Sequence, residues 1–249
     1  EIITKQAGIK RVVLELGSNS AIIVHKDADI QKAAQRAVLG GYAIAGQVCI
    51  SVQRVFVHEE VFEDFLSFMK EEVKNLKVGD PMEEDTDVGP MITYEETLRV
   101  QEWIGEAVER GAKLEIGGLA CAEKTALFQP TILSLVPPET KLFKEEAFAP
   151  IVLINPYRDI EEAIDMVNTS DYGLQVGVFT KDIDVAWECI RRIEAGGVLI
   201  NEGPTFRVDH QPYGGVKGSG VGREGPKFAV EDYTEIKTVV FDLGFGGAR

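Results

Sequence analysis

The sequence predicts an α/β fold: a mainly parallel, twisted sheet flanked by helices, ending in a β strand with no helix to cover it. Three observations predict it. Short apolar runs alternate with segments of helical spacing over most of the 249 residues. The composition, 45% apolar and 27% charged, is that of an ordinary globular chain long enough to bury a substantial core. The last β-rich run, "YTEIKTVVFDL", follows a glycine-rich stretch and has no helix to cover it, so it is expected to pair outside its own domain.

In chain order, "RVVLEL" (11–16) reads as a strand stopped by Gly17, and "AIIV" (21–24) as a second. The stretch "DADIQKAAQRAVLGGYAIAG" places Ile30, Ala33, Ala34, Ala37 and Val38 on one helical face. Asp27 or Asp29 can cap its start, and Gly46 is expected to end it. "SVQRVFVH" is a strand, and "EVFEDFLSFMKEEVKNL" an amphipathic helix with Phe62, Phe65, Leu66 and Met69 inward. A polar loop, "GDPMEEDTDVGPM", leads to the helix "TYEETLRVQEWIGEAVERG", which Gly111 stops. The segments "AKLEIGG", "FQPTILSLV" and "APIVLINPY" read as strands. Helix "DIEEAIDMVNTS", strand "LQVGVFT", helix "DIDVAWECIRRIEAG" and strand "GVLIN" complete the alternation.

Lys and Arg total 26 against 41 Asp and Glu, a formal charge of −15. With no basic stripe to neutralise phosphates, nucleic acid is excluded as a partner. No apolar run approaches the roughly 18 residues of a membrane span, so no membrane association is expected. Three cysteines, Cys49, Cys121 and Cys189, have no metal-type spacing and suggest a reducing, cytoplasmic setting. His25, His58 and His210 lie far apart in sequence, so no metal site is expected. No signal peptide is read, and the abrupt start "EIITKQAGIKRVVLELG" is expected to lie inside a longer protein.

Four places carry potential chemistry. Cys49 follows a run of small residues and precedes a strand. A free cysteine is most often buried packing, but a thiolate attacks carbonyl carbon readily, and small neighbours let substrate approach it. Glu15 closes an apolar strand. It either faces water at an edge or is a buried general base whose pKa desolvation raises. Glu145 and Glu146 are adjacent, so in an extended segment only one need face a site. The glycine-rich "QPYGGVKGSGVGREG" (211–225) does not follow a βαβ strand, so it reads as the wall of a site or a crossing rather than a dinucleotide fingerprint.

Together these residues resemble the aldehyde dehydrogenase family. The resemblance rests on "LELGS" (14–18), "GQVC" (46–49), "EEAFAP" (145–150), Asn201 in "VLIN" and "PYGGVKGSGVGRE" (212–224), in that order. Glu15 precedes Cys49 by 34 positions, and Cys49 precedes Glu146 by 97. The likeness covers essentially the whole chain and only the C-terminal half of a family member. It implies oxidation of an aldehyde to a carboxylic acid, with NAD or NADP as oxidant and most of the cofactor site outside the chain. It implies Cys49 as nucleophile, Glu15 as the base for thioester hydrolysis, Glu146 on the nicotinamide ribose and Phe148 beside the same ring. Val48, Ile50, Arg207, His210 and Tyr213 are expected along the substrate channel, where Arg207 and His210 could favour an anionic aldehyde. A second oxyanion donor, an Asn side chain, is expected upstream of residue 1.

The implied domains are a remnant of the cofactor-binding domain (1–18), the catalytic domain (19–230), and an oligomerisation strand and tail (231–249), with a homo-oligomer as the full-length form. The isolated chain is expected to be inactive as a dehydrogenase: an assembly module, or a thiol esterase. A His-assisted cysteine hydrolase and a CoA-dependent variant are the remaining alternatives, the latter disfavoured by the presence of Glu15. Three places depart from the family pattern. Ser18 and Asn19 stand where it has Gly and Lys, Ala149 where it has Gly, and Tyr213 where it has Phe.

Overall fold

The computed structural model describes residues 2–244. Seven strands form the main sheet: β2 (Ala21–Val24), β3 (Arg54–His58), β4 (Lys113–Ile116), β5 (Thr131–Ser134), β6 (Ile151–Tyr157), β8 (Gln175–Phe179) and β9 (Gly197–Ile200). Their order is β4-β5-β6-β3-β2-β8-β9. Every neighbouring pair is parallel except β4 with β5. Helices cover both faces, as parallel strands require. On one face, α2 (Ile30–Tyr42) and α3 (Phe62–Lys74) bury Ala33, Ala37, Phe65 and Met69 against Ile22, Val55, Val57 and Ile154. On the other, α4 (Tyr94–Glu109), α6 (Ile160–Asn168) and α7 (Ile183–Arg192) bury Val100, Ile164 and Cys189 beside Ile23, Phe56 and Val178. Strand residues thus alternate between two apolar layers, so β2 is apolar throughout.

The helix starts follow capping chemistry. Asp29 caps α2, accepting from the Lys32 N–H, while Asp27 instead receives the Thr180 hydroxyl and the Lys181 N–H. Thr93, Asp159 and Asp182 cap α4, α6 and α7 in the same way.

Short elements complete the fold: α1 (Ile2–Ala7), β1 (Leu14–Glu15), α5 (Lys141–Lys144), β7 (Tyr172–Gly173), β10 (Val216–Lys217), β11 (Gly220–Val221) and α8 (Pro226–Tyr233). Two antiparallel ribbons, β1 with β11 and β10 with β7, fasten the glycine-rich segment to the chain start and to the entry of β8.

The structure corrects two expectations. The strand expected over 11–16 contracts to Leu14–Glu15, because only the two-residue β11 lies beside it. Helix α2 ends at Tyr42, not at Gly46: Ile44 and Ala45 take left-handed φ of 53° and 54° within a 3₁₀ turn over Ala43–Gly46. The C-terminal run expected to pair outside its own domain forms no strand within the single chain among the described residues, and 245–249 lie outside them. Residues 234–244 join no ladder, and Ile236, Val239, Val240, Phe241 and Leu243 are exposed. A strand needs a partner edge, and this segment has none within the chain. Helices α1 and α8 were not anticipated; neither buries a residue.

Candidate active site

The segments carrying the expected site residues all enter the sheet from one side. Glu15 precedes β2, Cys49 precedes β3, and Glu146 and Phe148 precede β6. Tyr213 heads the segment that the β10–β7 ribbon pins beside the start of β8. They gather at the amino edge of a parallel sheet. Open α/β sheets usually place ligands beyond the carboxyl edge, so topology alone points to the wrong side here.

Cys49 is half-buried in a small apolar cluster with Val48, Ile50, Leu174 and Tyr213. Its Sγ lies 2.9 Å from the Tyr213 hydroxyl. The small residues before it serve close packing. A Cβ at Gly46 would strike the carbonyl of Ala149, and Gly46 has φ of +71°, which disfavours any side chain. The turn carrying the sulfur therefore lies directly on the loop carrying Glu146 and Phe148.

Glu15 lies within electrostatic reach of Tyr213. Both its carboxylate oxygens are buried and lack a hydrogen-bond partner among the described residues. Burial first, and Glu224 second, raise its pKa to about 6 against the opposing pull of Arg223 and Arg207. Gly214 backs it closely: a Cβ there would sit 2.8 Å from Glu15 Oε1. Ser219 closes this corner, its hydroxyl donating to the Gly17 carbonyl and accepting from the Gly173 N–H.

Glu146 is half-buried and its neighbour Glu145 is exposed, so one of the pair faces inward. Glu146 Oε1 accepts from the Ser18 N–H at 2.8 Å, yet burial still raises the carboxyl pKa. It shares a small cleft with Ser18, Gly46, Val48, Gln53 and Phe148. Phe148 holds a left-handed φ of 49° and is 41% exposed, a strained residue presenting its ring outward.

Arg207 is exposed, stacks 4.1 Å over the Tyr213 ring and pairs with Glu224 at 2.7 Å. His210 is exposed and, among the described residues, has no side-chain hydrogen bond or ring contact with the site. Asn201 is not at the site either. Its side chain exchanges hydrogen bonds with the Thr180 backbone at the end of β8.

Sequence reasoning missed the residues that hold these loops. Gln53 is buried; its Nε2 donates to the carbonyls of Leu142 and Glu145 and its Oε1 accepts from the Ala147 N–H, clamping the loop around Glu146. Arg54 is buried, has no carboxylate partner among the described residues and donates to the carbonyls of Asn19, Met166 and Val167. Burial lowers its pKa to about 9. Asn19 in turn donates to the carbonyls of Phe143 and Lys144. The signal was present: polar side chains inside an apolar strand pattern must find partners. Cys189 is buried packing as expected, and Cys121 is exposed. Among the described residues no cluster of metal-ligand side chains occurs.

The sequence model described as the aldehyde dehydrogenase family matches residues 1–239. The chain belongs to the aldehyde dehydrogenase family. It is 50% identical over 243 residues to the 3-sulfolactaldehyde dehydrogenase of Priestia aryabhattai, covering 98% of this chain and 50% of that one. It is 47% identical to the lactaldehyde dehydrogenase of Methanococcus vannielii over 96% of this chain and 51% of that one. Among solved structures it resembles a glyceraldehyde-3-phosphate dehydrogenase from Methanocaldococcus jannaschii complexed with NADP, with a TM-score of 0.91 and 44% identity over 96% of this chain and 51% of that one. It also resembles aldehyde dehydrogenase 21 from Physcomitrella patens in complex with the reaction product succinate, with a TM-score of 0.92 and 42% identity over 98% and 50%. The chain spans about half the length of these relatives. Its mostly parallel sheet flanked by helices is the architecture of aldehyde dehydrogenase catalytic domains.

Proposed function

We propose that the chain is the catalytic part of an enzyme that oxidises an aldehyde to a carboxylic acid with NAD or NADP. The observation that carries this reading is that Tyr213 touches the half-buried thiol of Cys49 and also lies within electrostatic reach of Glu15, whose buried carboxylate has no hydrogen-bond partner among the described residues.

The Cys49 thiolate adds to the aldehyde carbon, forming a C–S bond and pushing the carbonyl pair onto oxygen. The Cys49 backbone N–H is one donor for that oxyanion. Loss of hydride from the same carbon restores the C=O bond and leaves a thioester on Cys49. Glu15 takes a proton from water, which attacks the thioester; the C–S bond breaks, and the acid leaves with Cys49 regenerated as thiolate. A base with a pKa of about 6 is ionised at neutral pH and stronger than an ordinary carboxylate, which suits this step.

The residues present fit one end of a nicotinamide dinucleotide. A Cβ at Gly17 would strike Glu146, so bare backbone lies beside a carboxylate and an outward-facing aromatic ring. Glu146 would accept two hydroxyl hydrogen bonds from the ribose, and Phe148 would pack near the ring. A nicotinamide held there supplies the hydride acceptor.

For the substrate we infer a short 2-hydroxyaldehyde, the chemistry shared by the aldehydes in the names of the two Priestia and Methanococcus relatives. Val48, Ile50 and Tyr213 wall the sulfur, while Arg207 and His210 sit outward. An anionic tail would have to compete with Glu224 for Arg207.

The test is Cys49→Ala in the full-length protein. Aldehyde-dependent formation of reduced cofactor is expected to fall by at least about a thousandfold, as for loss of a covalent nucleophile. Retained turnover overturns the assignment.

A further inference from the structure

Tyr213 stands where the family pattern has Phe, and its ring would pack as well without the oxygen. It is 3% exposed, and a buried hydroxyl costs free energy unless it is bonded. Its partner is the Cys49 sulfur at 2.9 Å. Among the described residues, no other side chain makes a hydrogen bond to that sulfur.

The ring is held from several sides. The Tyr213 N–H donates to the Glu224 carbonyl at 3.1 Å, and the Glu224 N–H donates back at 2.6 Å. Ile50 and Leu174 pack against Tyr213. The Arg207 guanidinium lies 4.1 Å over the ring and is itself fixed to the Glu224 carboxylate. The phenol is thus placed before any substrate arrives.

We propose that Tyr213 donates a hydrogen bond to the Cys49 thiolate and stabilises it, and that Arg207 is a positioning residue that holds this donor in place. The proposal rests on Cys49 being the nucleophile. A donor aimed at sulfur favours the charged form. Burial and the neighbouring sulfur both raise the phenol pKa, so its proton stays on oxygen and is available to donate. The charged groups around the pair are Glu15, within electrostatic reach of Tyr213; Arg207 and Glu224, held against the tyrosine; Arg223, near Glu15; and Glu146, in the cleft it shares with Val48. The hydroxyl is the group that touches the sulfur.

The experiment measures the alkylation rate of Cys49 by iodoacetamide against pH in the full-length protein, with peptide mapping to separate it from Cys121 and Cys189. Tyr213→Phe is expected to raise the pH midpoint by about one unit, leaving about tenfold less thiolate below it. A merely structural tyrosine would leave the midpoint unmoved. Arg207→Lys keeps the charge but loses the flat stack, and is expected to shift the midpoint the same way by less. An unchanged midpoint in Tyr213→Phe overturns the proposal, as does one in Arg207→Lys should the first variant not fold. Either result leaves the nucleophile assignment standing if Cys49→Ala is inactive.

Discussion

At the scale of single residues, Glu15 is the most exacting case. Its carboxylate is buried without a hydrogen-bond partner among the described residues, so ionising it in the folded state costs free energy. The folded pKa is about 6 against an ordinary value of 4.5, so between these the folded state binds more protons than the unfolded one. Stability therefore falls as pH rises through that window. Glu15→Gln is expected to gain about 1 kcal/mol at about pH 8 after allowance for partial solvent screening, a melting rise of about 2–4 °C. The gain should vanish below about pH 4, and calorimetry at both pH values checks it. In the full-length enzyme the same variant is expected to keep a burst of reduced cofactor and to slow hydrolysis of the thioester. A lost burst would remove Glu15 from the water-activating role. The candidate was legible in the sequence as a carboxylate closing an apolar strand. Its unpaired burial was not, because that depends on Gly214 and Tyr213, which arrive from the far end of the chain.

At the scale of elements, the site is a set of strand entries held in register by buried polar side chains. Gln53 at the start of β3 satisfies three backbone groups of the loop before β6. Gln53→Ala would strand them, at about 1–3 kcal/mol for each group left unpaired. A net loss of about 3 kcal/mol is expected, read as a lower denaturant midpoint at unchanged slope. A variant as stable as the parent would mean that the loop around Glu146 is held by other contacts. Most helices and strands were readable from periodicity, because each buries a face set by local spacing. The end of α2 was not, because the left-handed residues Ile44 and Ala45 carry no glycine signature. They lead directly into Gly46, which lies against the Ala149 carbonyl.

At the scale of the whole molecule, the described surface ends in a run without secondary structure that exposes Ile236, Val239, Val240, Phe241 and Leu243. An apolar segment with unpaired backbone is a template for another chain. We expect the 249-residue chain to self-associate through it, and the double variant Val239→Asp, Phe241→Asp to sediment as a monomer. A parent chain that already sediments as a monomer at micromolar concentration would refute this. The exposed run also supports assembly as a property separate from catalysis.

The sequence by itself determined the fold class, the family and the candidate nucleophile, base and cofactor carboxylate. These depend on residue type, local period and order along the chain. Tertiary structure alone decided that they meet at the amino edge of the sheet, that Tyr213 touches the sulfur, that Arg207 is tied to Glu224, and that His210 and Asn201 stand apart. It also left the final apolar run outside every ladder among the described residues. Such facts depend on which distant backbones pack together, and a linear pattern carries no record of that contact.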